Sequence, residues 1–264
     1  MTAPARITIL GSGTSTGVPV IGCACAVCAS SDPHDKRTRT SLVVTLPSGA
    51  NLLFDTAPEL RLQAVAVGLR EIAAVIYTHL HADHCHGFDD LRAFAFHAGG
   101  AIPCYLARGA EAEFRRRFAY ALEDTGYAGA KPQVDIRVFD EAPFEVAGVV
   151  LEPAFAPHGA FTTAVFRLGA FAYATDFKAL PDALIARWRG QIHTMVASGL
   201  HFSPHPTHST LPETLALFEK LEVKRGIITH MSHEIEHARD SAKLPPNVQL
   251  GFDGMSVDAP LTLP

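Results

Sequence analysis

The run Ala73-Ala74-Val75-Ile76-Tyr77-Thr78 is short, apolar and β-branched, and it opens directly onto His79-Leu80-His81-Ala82-Asp83-His84-Cys85-His86-Gly87. Such a run reads as a strand buried on both faces. Four side chains able to bind a cation stand within six residues of its carboxyl end. A chain with this feature needs strand ends that converge on a cleft. His79 and His81, two apart, point the same way from extended backbone, while Asp83 and His84 follow as the chain turns toward a helix. The loop therefore offers two pairs of ligands, more than one tetrahedral structural site would need.

The flanking pattern says how that cleft is built. Apolar runs predict strands near 6–10, 41–46, 51–54, 73–78, 103–106, 134–139, 149–156, 163–168, 171–175, 193–198 and 225–229. Helical spacing appears at 58–68, 88–97, 109–122, 181–188, 211–222 and 233–242, the first ending on Gly68 as a helix C-cap does. Strands mixed with helices imply sheets covered by helices, an α/β or α+β layered sandwich. Nothing in the composition divides the 264 residues, so one domain is expected over 1–264. Residues 11–40 are the irregular part, beginning Gly11-Ser12-Gly13-Thr14-Ser15-Thr16-Gly17, and read as a long functional loop. Without a Walker-type Lys or a following helix they are not a nucleotide loop. Met195, Phe94 and Phe96 are assigned to the core.

Composition excludes several classes. No apolar stretch reaches the ~18–20 residues of a membrane span, and the opening residues lack the apolar core of a secretory leader, so a cytoplasmic location is expected. A formal charge of −5 supplies no general field for nucleic acid; Arg115-Arg116-Arg117 reads as a solvated helix face. Five cysteines make a poor disulfide framework, and Cys23, Cys25 and Cys28 crowd together in the manner of metal ligands.

The motif His79-x-His81-x-Asp83-His84 resembles the signature of metallo-β-lactamase-fold hydrolases, which implies a four-layer αββα sandwich. Later residues match that family's order: His158 after Ala156-Pro157, Asp176 after Ala174-Thr175, and His230 after Ile228-Thr229 each end an apolar run. The resemblance implies that His79, His81 and His158 hold one metal and Asp83, His84 and His230 the other. Asp176 would bridge the pair. Asp55, after Leu52-Leu53-Phe54, resembles the family's early aspartate, which orients the metal loop from behind. Two divalent cations, Zn²⁺ or Mn²⁺ according to supply, set against Asp83, Asp176 and a bridging hydroxide leave a site near +1. That charge suits a singly negative phosphodiester attacked by the hydroxide. The resemblance also implies hydrolysis over redox chemistry, because di-iron members carry Glu where this chain has His81.

Further features narrow the likeness to PhnP-type phosphodiesterases: Leu10-Gly11-Ser12-Gly13, Gly22-Cys23-x-Cys25-x-x-Cys28, Thr229-His230-Met231-Ser232-His233 and Gly251-Phe252-Asp253-Gly254-Met255. Cys23, Cys25 and Cys28 with His233 would close a structural zinc site pinning the 11–40 loop. Thr210-Leu211-Pro212-Glu213 has capping-box spacing, which leaves His208 in the loop before a helix. By resemblance His208 joins Asp83 among the catalytic groups, as a general acid titrating near neutrality. His201 is the next candidate, and His205 stands close to both. The expected substrate is a small cyclic or nucleotide-like phosphate ester; a homodimer is implied by the resemblance alone. A tRNA-processing nuclease of the RNase Z kind shares the metal loop but wants a basic arm that is not evident. β-Lactam or thioester hydrolysis and a non-catalytic metal-binding role are the other readings. Two positions depart from the pattern, both expected on the substrate side: Ser198 stands where an acidic residue is usual, and His86 where a neutral polar one is.

Overall fold

Every strand expected from an apolar run is present in the computed structural model, which describes residues 3–263 except 125, 127 and 128. The chain lays down β1 (Ala5–Gly11), β2 (Ser41–Thr45), β3 (Asn51–Phe54), β4 (Ala74–Ile76), β5 (Ile102–Ala107) and β6 (Val134–Phe139) side by side in sequence order. It then builds a second sheet from β7 (Phe144–Val146), β8 (Val149–His158), β9 (Phe161–Leu168), β10 (Phe171–Ala174), β11 (Thr194–Ser198), β12 (Arg225–Thr229) and β13 (Val248–Leu250). Finally β14 (Ser256–Ala259) returns to pair antiparallel with β1, so each sheet has seven strands.

Helices fill the crossovers. α1 (Leu60–Val67), the one-turn α2 (Ala82–Cys85), α3 (Leu91–Ala98), α4 (Glu111–Arg117) and α5 (Ala119–Leu122) belong to the first half; α6 (Asp182–Trp188), α7 (Leu211–Leu221) and α8 (His237–Ser241) belong to the second. Gly68 caps α1 in the left-handed region at φ 69°, and α7 carries the full Thr210–Glu213 capping box.

Strand alternation sorts the apolar side chains into layers. Ile7, Ile9, Val44, Leu52, Phe54 and Ile76 face Leu151, Phe166, Tyr173, Val196 and Ile227 across the space between the sheets. The opposite face of the first sheet, with Val43, Leu53 and Val75, packs under Leu60, Leu91, Phe94 and Phe114 from the helices. The opposite face of the second, with Ala172, Ala174, Met195 and Ile228, packs under Leu184, Trp188, Leu217 and Phe218. The order helix, sheet, sheet, helix is the αββα sandwich.

Parallel pairing sets where chemistry collects. β3 to β6 are mutually parallel, as are β10 to β13. Their carboxyl ends therefore lie along one rim of each sheet, where an open α/β sheet leaves room for a ligand. Asp55, His79, Asp176 and His230 all follow such ends. The loop after β4 is fastened to the segment after β3: Thr56 N–H donates to the His84 carbonyl at 2.8 Å and Gly87 N–H to the Thr56 carbonyl at 2.9 Å. Gly87 is required there, since a Cβ would stand 2.0 Å from the Ala57 carbonyl oxygen.

The 11–40 loop is tied down at several points. Asp253 accepts from Ser12 N–H and Thr38 N–H, both at 2.8 Å. The buried Arg37 guanidinium reaches Asp35 and the Ser232 carbonyl, each at 3.0 Å.

Three expectations change. The helix expected over 233–242 shrinks to α8, because the chain before it turns around His233. Phe96 is 85% exposed, since α3 buries the stripe Leu91, Phe94 and Ala95. The strands β7, β13 and β14, of three or four residues, have no apolar run to announce them. Met195 and Phe94 are in the core as expected. Arg115 and Arg117 pair with Glu111 and Glu113 one turn back, which compensates the basic run. Among the described residues no helix is long and apolar enough to cross a membrane.

Candidate active site

The seven residues singled out in the sequence converge. One ligand atom each from His79, His81, His158 and Asp176 lie within 4.8 Å of one another, and the same holds for Asp83, His84, Asp176 and His230. Asp176 belongs to both groups. Its Oδ2 stands 3.3 Å from His79 Nε2 and 2.8 Å from His84 Nε2, and its Oδ1 stands 2.9 Å from His230 Nε2. His81 Nδ1 and His158 Nε2 are 3.2 Å apart, while Asp83 Oδ2 lies 3.3 Å from His84 Nε2.

Backbone strain marks the same places. Asp55, Asp176 and His230 have φ of 62°, 53° and 56°, a left-handed conformation that non-glycine residues rarely adopt. Each follows the end of a strand, and the reversal turns Asp176 and His230 toward the cleft and Asp55 against Thr78 and His84. Such strain costs on the order of 1–3 kcal/mol per residue and persists where the surroundings enforce it.

A hydrogen-bonded chain behind the ligands fixes their tautomers. Asp55 accepts from Thr78 N–H and Thr78 Oγ1, each at 2.8 Å, and from His84 Nδ1 at 2.7 Å. With its own proton given to Asp55, the Thr78 hydroxyl accepts from His79 Nδ1 at 3.0 Å. His158 Nδ1 donates to the Thr207 carbonyl at 3.2 Å. The Nε2 lone pairs of His79 and His84 are thereby turned into the cleft. The Nε2 atoms of His79, His84 and His230 are buried and have no hydrogen-bond partner. Buried imidazole nitrogens facing carboxylates without a bond between them fit a pair of divalent cations, whose donor set this would be.

Electrostatics agree with that donor set. Burial pushes the His79, His81 and His158 imidazoles below their usual range, leaving them neutral and able to bind a cation. At His84 and His230 burial acts in the same direction, but nearby carboxylates, Asp176 foremost, outweigh it and raise both, His230 to about 9. Burial opposes ionisation of Asp83 and Asp176 too, yet these imidazoles hold both carboxyls well below the carboxylate range.

A second cluster lies on the 11–40 loop. His233 Nδ1 is 3.3, 3.5 and 3.4 Å from the sulfurs of Cys23, Cys25 and Cys28. Ligands at the tetrahedral angle around zinc stand about 3.5 Å apart. The Cys28 N–H, pointing at Cys25, helps draw that thiol down to about 6.

Comparison with known proteins adds lineage to this geometry. The β-lactamase superfamily domain matches residues 50–231. A crystal structure described as a new diphosphatase from the PhnP family is 39% identical, superposes with a TM-score of 0.91 and covers all of both chains. The chain belongs to the PhnP family of the β-lactamase superfamily. The Zn²⁺-bound PqqB of Methylobacterium extorquens shares the fold, at 20% identity and TM-score 0.76 over 96% of this chain and 99% of that one. An octanoyltransferase of Porphyromonas gingivalis is 34% identical over 252 residues, 95% of this chain. This chain spans about half of that relative's length, 51%.

Within this PhnP-family site the three loop histidines separate by position. His208 packs edge-on to His158 at 4.7 Å and stacks on His230 at 5.2 Å between ring centroids, with Nδ1 3.7 Å from Asp176. His205 lies behind it, and His201, the next candidate for the general acid, lies behind His205 at 5.6 Å. Titration of His208 near neutrality is not what its surroundings give: burial, with His230 beside it, pushes it down to about 3. Ser198 is fully buried and its carbonyl accepts from Thr214, while His86 is exposed and edge-on to Phe118. Neither residue lines the cavity beside His79 and His81. The sequence reading missed Thr78 and Thr207. A hydroxyl ending the strand before His79 was a usable signal for Thr78, whereas Thr207 acts through its carbonyl, which leaves no mark in the sequence.

Proposed function

We propose that residues 1–264 act as one catalytic domain that hydrolyses a small phosphodiester or diphosphate. His79, His81 and His158 would hold one cation, Asp83, His84 and His230 a second, and Asp176 both. The observation that carries this reading is the double membership of Asp176, whose two oxygens face the imidazoles of both groups. Two divalent cations held this way supply charge against phosphoryl oxygens and an acidified water as nucleophile. The solved relative described as a diphosphatase supports a phosphoryl substrate. The octanoyltransferase name belongs to a protein of which this chain spans only half.

The chain's own residues do the rest. Asp55 keeps His84 and, through Thr78, His79 in the tautomers that present Nε2. His208 is placed to protonate the departing oxygen. It is neutral in the free protein, so the negative phosphate must raise its affinity for the proton on arrival. Cys23, Cys25, Cys28 and His233 would hold a structural zinc that keeps the 11–40 loop against the segment bearing His230. Arg115 and Arg117 of α4 are paired with Glu111 and Glu113, which weakens that run as a grip for tRNA.

Purified, manganese-loaded protein should cleave bis-p-nitrophenyl phosphate, and Asp176→Ala should lose that activity by at least about a thousandfold. No turnover of any phosphodiester in a panel, with two active-site metal equivalents confirmed by elemental analysis, would end this reading.

A further inference from the structure

His208 reaches the cleft without a hydrogen bond to hold its ring. Its Nδ1 is buried and has no hydrogen-bond partner, and the Asp176 carboxylate, at 3.7 Å, stands too far off to be one. What places the ring acts through the backbone. We propose that His205 is the positioning residue: its Nδ1 gathers the N–H groups of Thr207 and His208, and so sets His208 in the cleft and the Thr207 carbonyl on His158. The consequence for rate rests on the phosphoester reading above, whereas the consequence for the loop does not.

The sequence prepares this turn. In Ser203-Pro204-His205-Pro206-Thr207-His208 a proline stands on either side of His205. Pro206 steers His205 away from helical backbone and has no N–H of its own, so the first donors after it belong to Thr207 and His208. Both turn back onto one atom: Thr207 N–H lies 3.3 Å and His208 N–H 3.2 Å from His205 Nδ1. The Thr207 hydroxyl joins them at 3.3 Å. An acceptor bound to the N–H groups two and three residues further on is what Asp and Asn side chains supply in turns and at helix starts. Here an imidazole supplies it. Because these donors converge on Nδ1, the ring proton sits on Nε2. Burial, with His201 and Lys178 nearby, pushes the His205 imidazole below its usual range, which keeps Nδ1 free to accept.

The turn is built against the ends of two strands. Thr207 packs on Gly159, where a Cβ would stand 2.8 Å from Thr207 Cγ2. Gly159 directly follows His158, the last residue of β8, so the loop lies over that strand end and the Thr207 carbonyl accepts from His158 Nδ1 at 3.2 Å. On the other side of His208, Ser209 N–H donates to the carbonyl of Phe177, the neighbour of Asp176, at 2.6 Å. His208 is thus suspended between two anchors, and His205 sets the backbone direction from which its ring leaves.

Asparagine and glutamine separate this role from packing, because the Asn Oδ1 falls where His Nδ1 does and the Gln Oε1 falls where Nε2 does. Nitrogen NMR of isotope-labelled, zinc-loaded protein should find a proton on His205 Nε2 and none on Nδ1. The His208 amide should exchange with solvent about fivefold faster in His205→Ala and His205→Gln, the protection one hydrogen bond gives, and at the wild-type rate in His205→Asn. For methyl phenyl phosphate, whose leaving oxygen needs a proton, His205→Ala and His205→Gln should lower kcat about a hundredfold with KM within about twofold. For methyl p-nitrophenyl phosphate, whose leaving group departs unprotonated, the loss should stay below about tenfold. His205→Asn should keep kcat for both esters within about threefold of wild type. If His205→Ala does not fold, the Asn and Gln pair carries the comparison alone. A proton on His205 Nδ1, Asn and Gln variants that behave alike, or an ester-cleaving enzyme whose kcat no variant changes overturns the proposal. If the wild type cleaves neither ester, the phosphoester reading fails by itself and amide exchange decides: a His208 rate raised by Gln and not by Asn upholds the role of His205, and equal rates overturn it.

Discussion

Asp55 stands outside both ligand groups, yet two of their imidazoles take their orientation from it. Asp55→Asn isolates its charge, because asparagine tolerates the left-handed backbone that this position adopts at φ 62°. We expect metal affinity to fall about 10–100-fold with an unchanged circular dichroism spectrum, read by competition with a chromophoric chelator. The imidazoles also predict a pH dependence. In the metal-free protein His230 is raised to about 9 by Asp176, against an ordinary value of about 6.5 when unfolded. The stability it contributes is complete below the unfolded value and is lost as pH rises through the folded one. The melting temperature of metal-free protein should therefore fall between about pH 6.5 and 9. The increment gained on adding metal should grow over the same interval, since a cation binds the neutral imidazole. A flat metal-free profile across that window would contradict the His230–Asp176 pairing. The seven candidate ligands were legible because they end or closely follow apolar runs. Their environments were not: the shift at His208 comes first from burial and then from His230, with His158 adding less, and these neighbours are brought beside it from distant parts of the chain.

Among elements, the 11–40 loop has the least regular structure and the most anchors. Its hold on the segments after β12 and β13 runs through the Arg37–Ser232 contact, the Asp253 bonds and the Cys23, Cys25, Cys28 and His233 cluster. His233→Ala removes one ligand of four and should release one zinc equivalent per chain while the other two metal equivalents stay. Elemental analysis before and after mild chelation distinguishes the two classes, and loss of all three together would show that the sites are not independent. The same substitution should lower thermal stability, since a structural zinc contributes folding free energy directly. Cysteine spacing made this element readable. The strands β7, β13 and β14 were not, because their place in a sheet comes from pairing partners: Ser256–Ala259 is a strand because β1 offers it an open edge. The shortened α8 has a related cause. His233 and Ser232 are committed to contacts with the loop, which stops the helical pattern from extending back to them.

At the scale of the molecule the ligands divide between the sheets. His79, His81, Asp83 and His84, with Asp55 behind them, follow strands of the first, while His158 ends a strand of the second and Asp176 and His230 follow strands of it. The alternation of elements could be read as layers, but which rims would meet could not, since that depends on how two twisted sheets stack on Phe54, Phe139, Phe166 and Tyr173. Cations bound across this divide would act as staples between the halves. Phe166→Ala, which empties space between the sheets at a distance from the ligand loops, should cost about 3–5 kcal/mol in denaturant unfolding of the metal-loaded protein. Metal removal from the wild type should destabilise by the linkage relation, about 2.7 kcal/mol for each site previously held at one hundred times its dissociation constant. The two effects act on one cooperative docking, so chelation should unfold the Phe166→Ala protein at temperatures where the chelated wild type remains folded. If chelation leaves the melting temperature of both proteins unchanged, cations do not bridge the sheets, and the sharing of Asp176 between two metal sites loses its support.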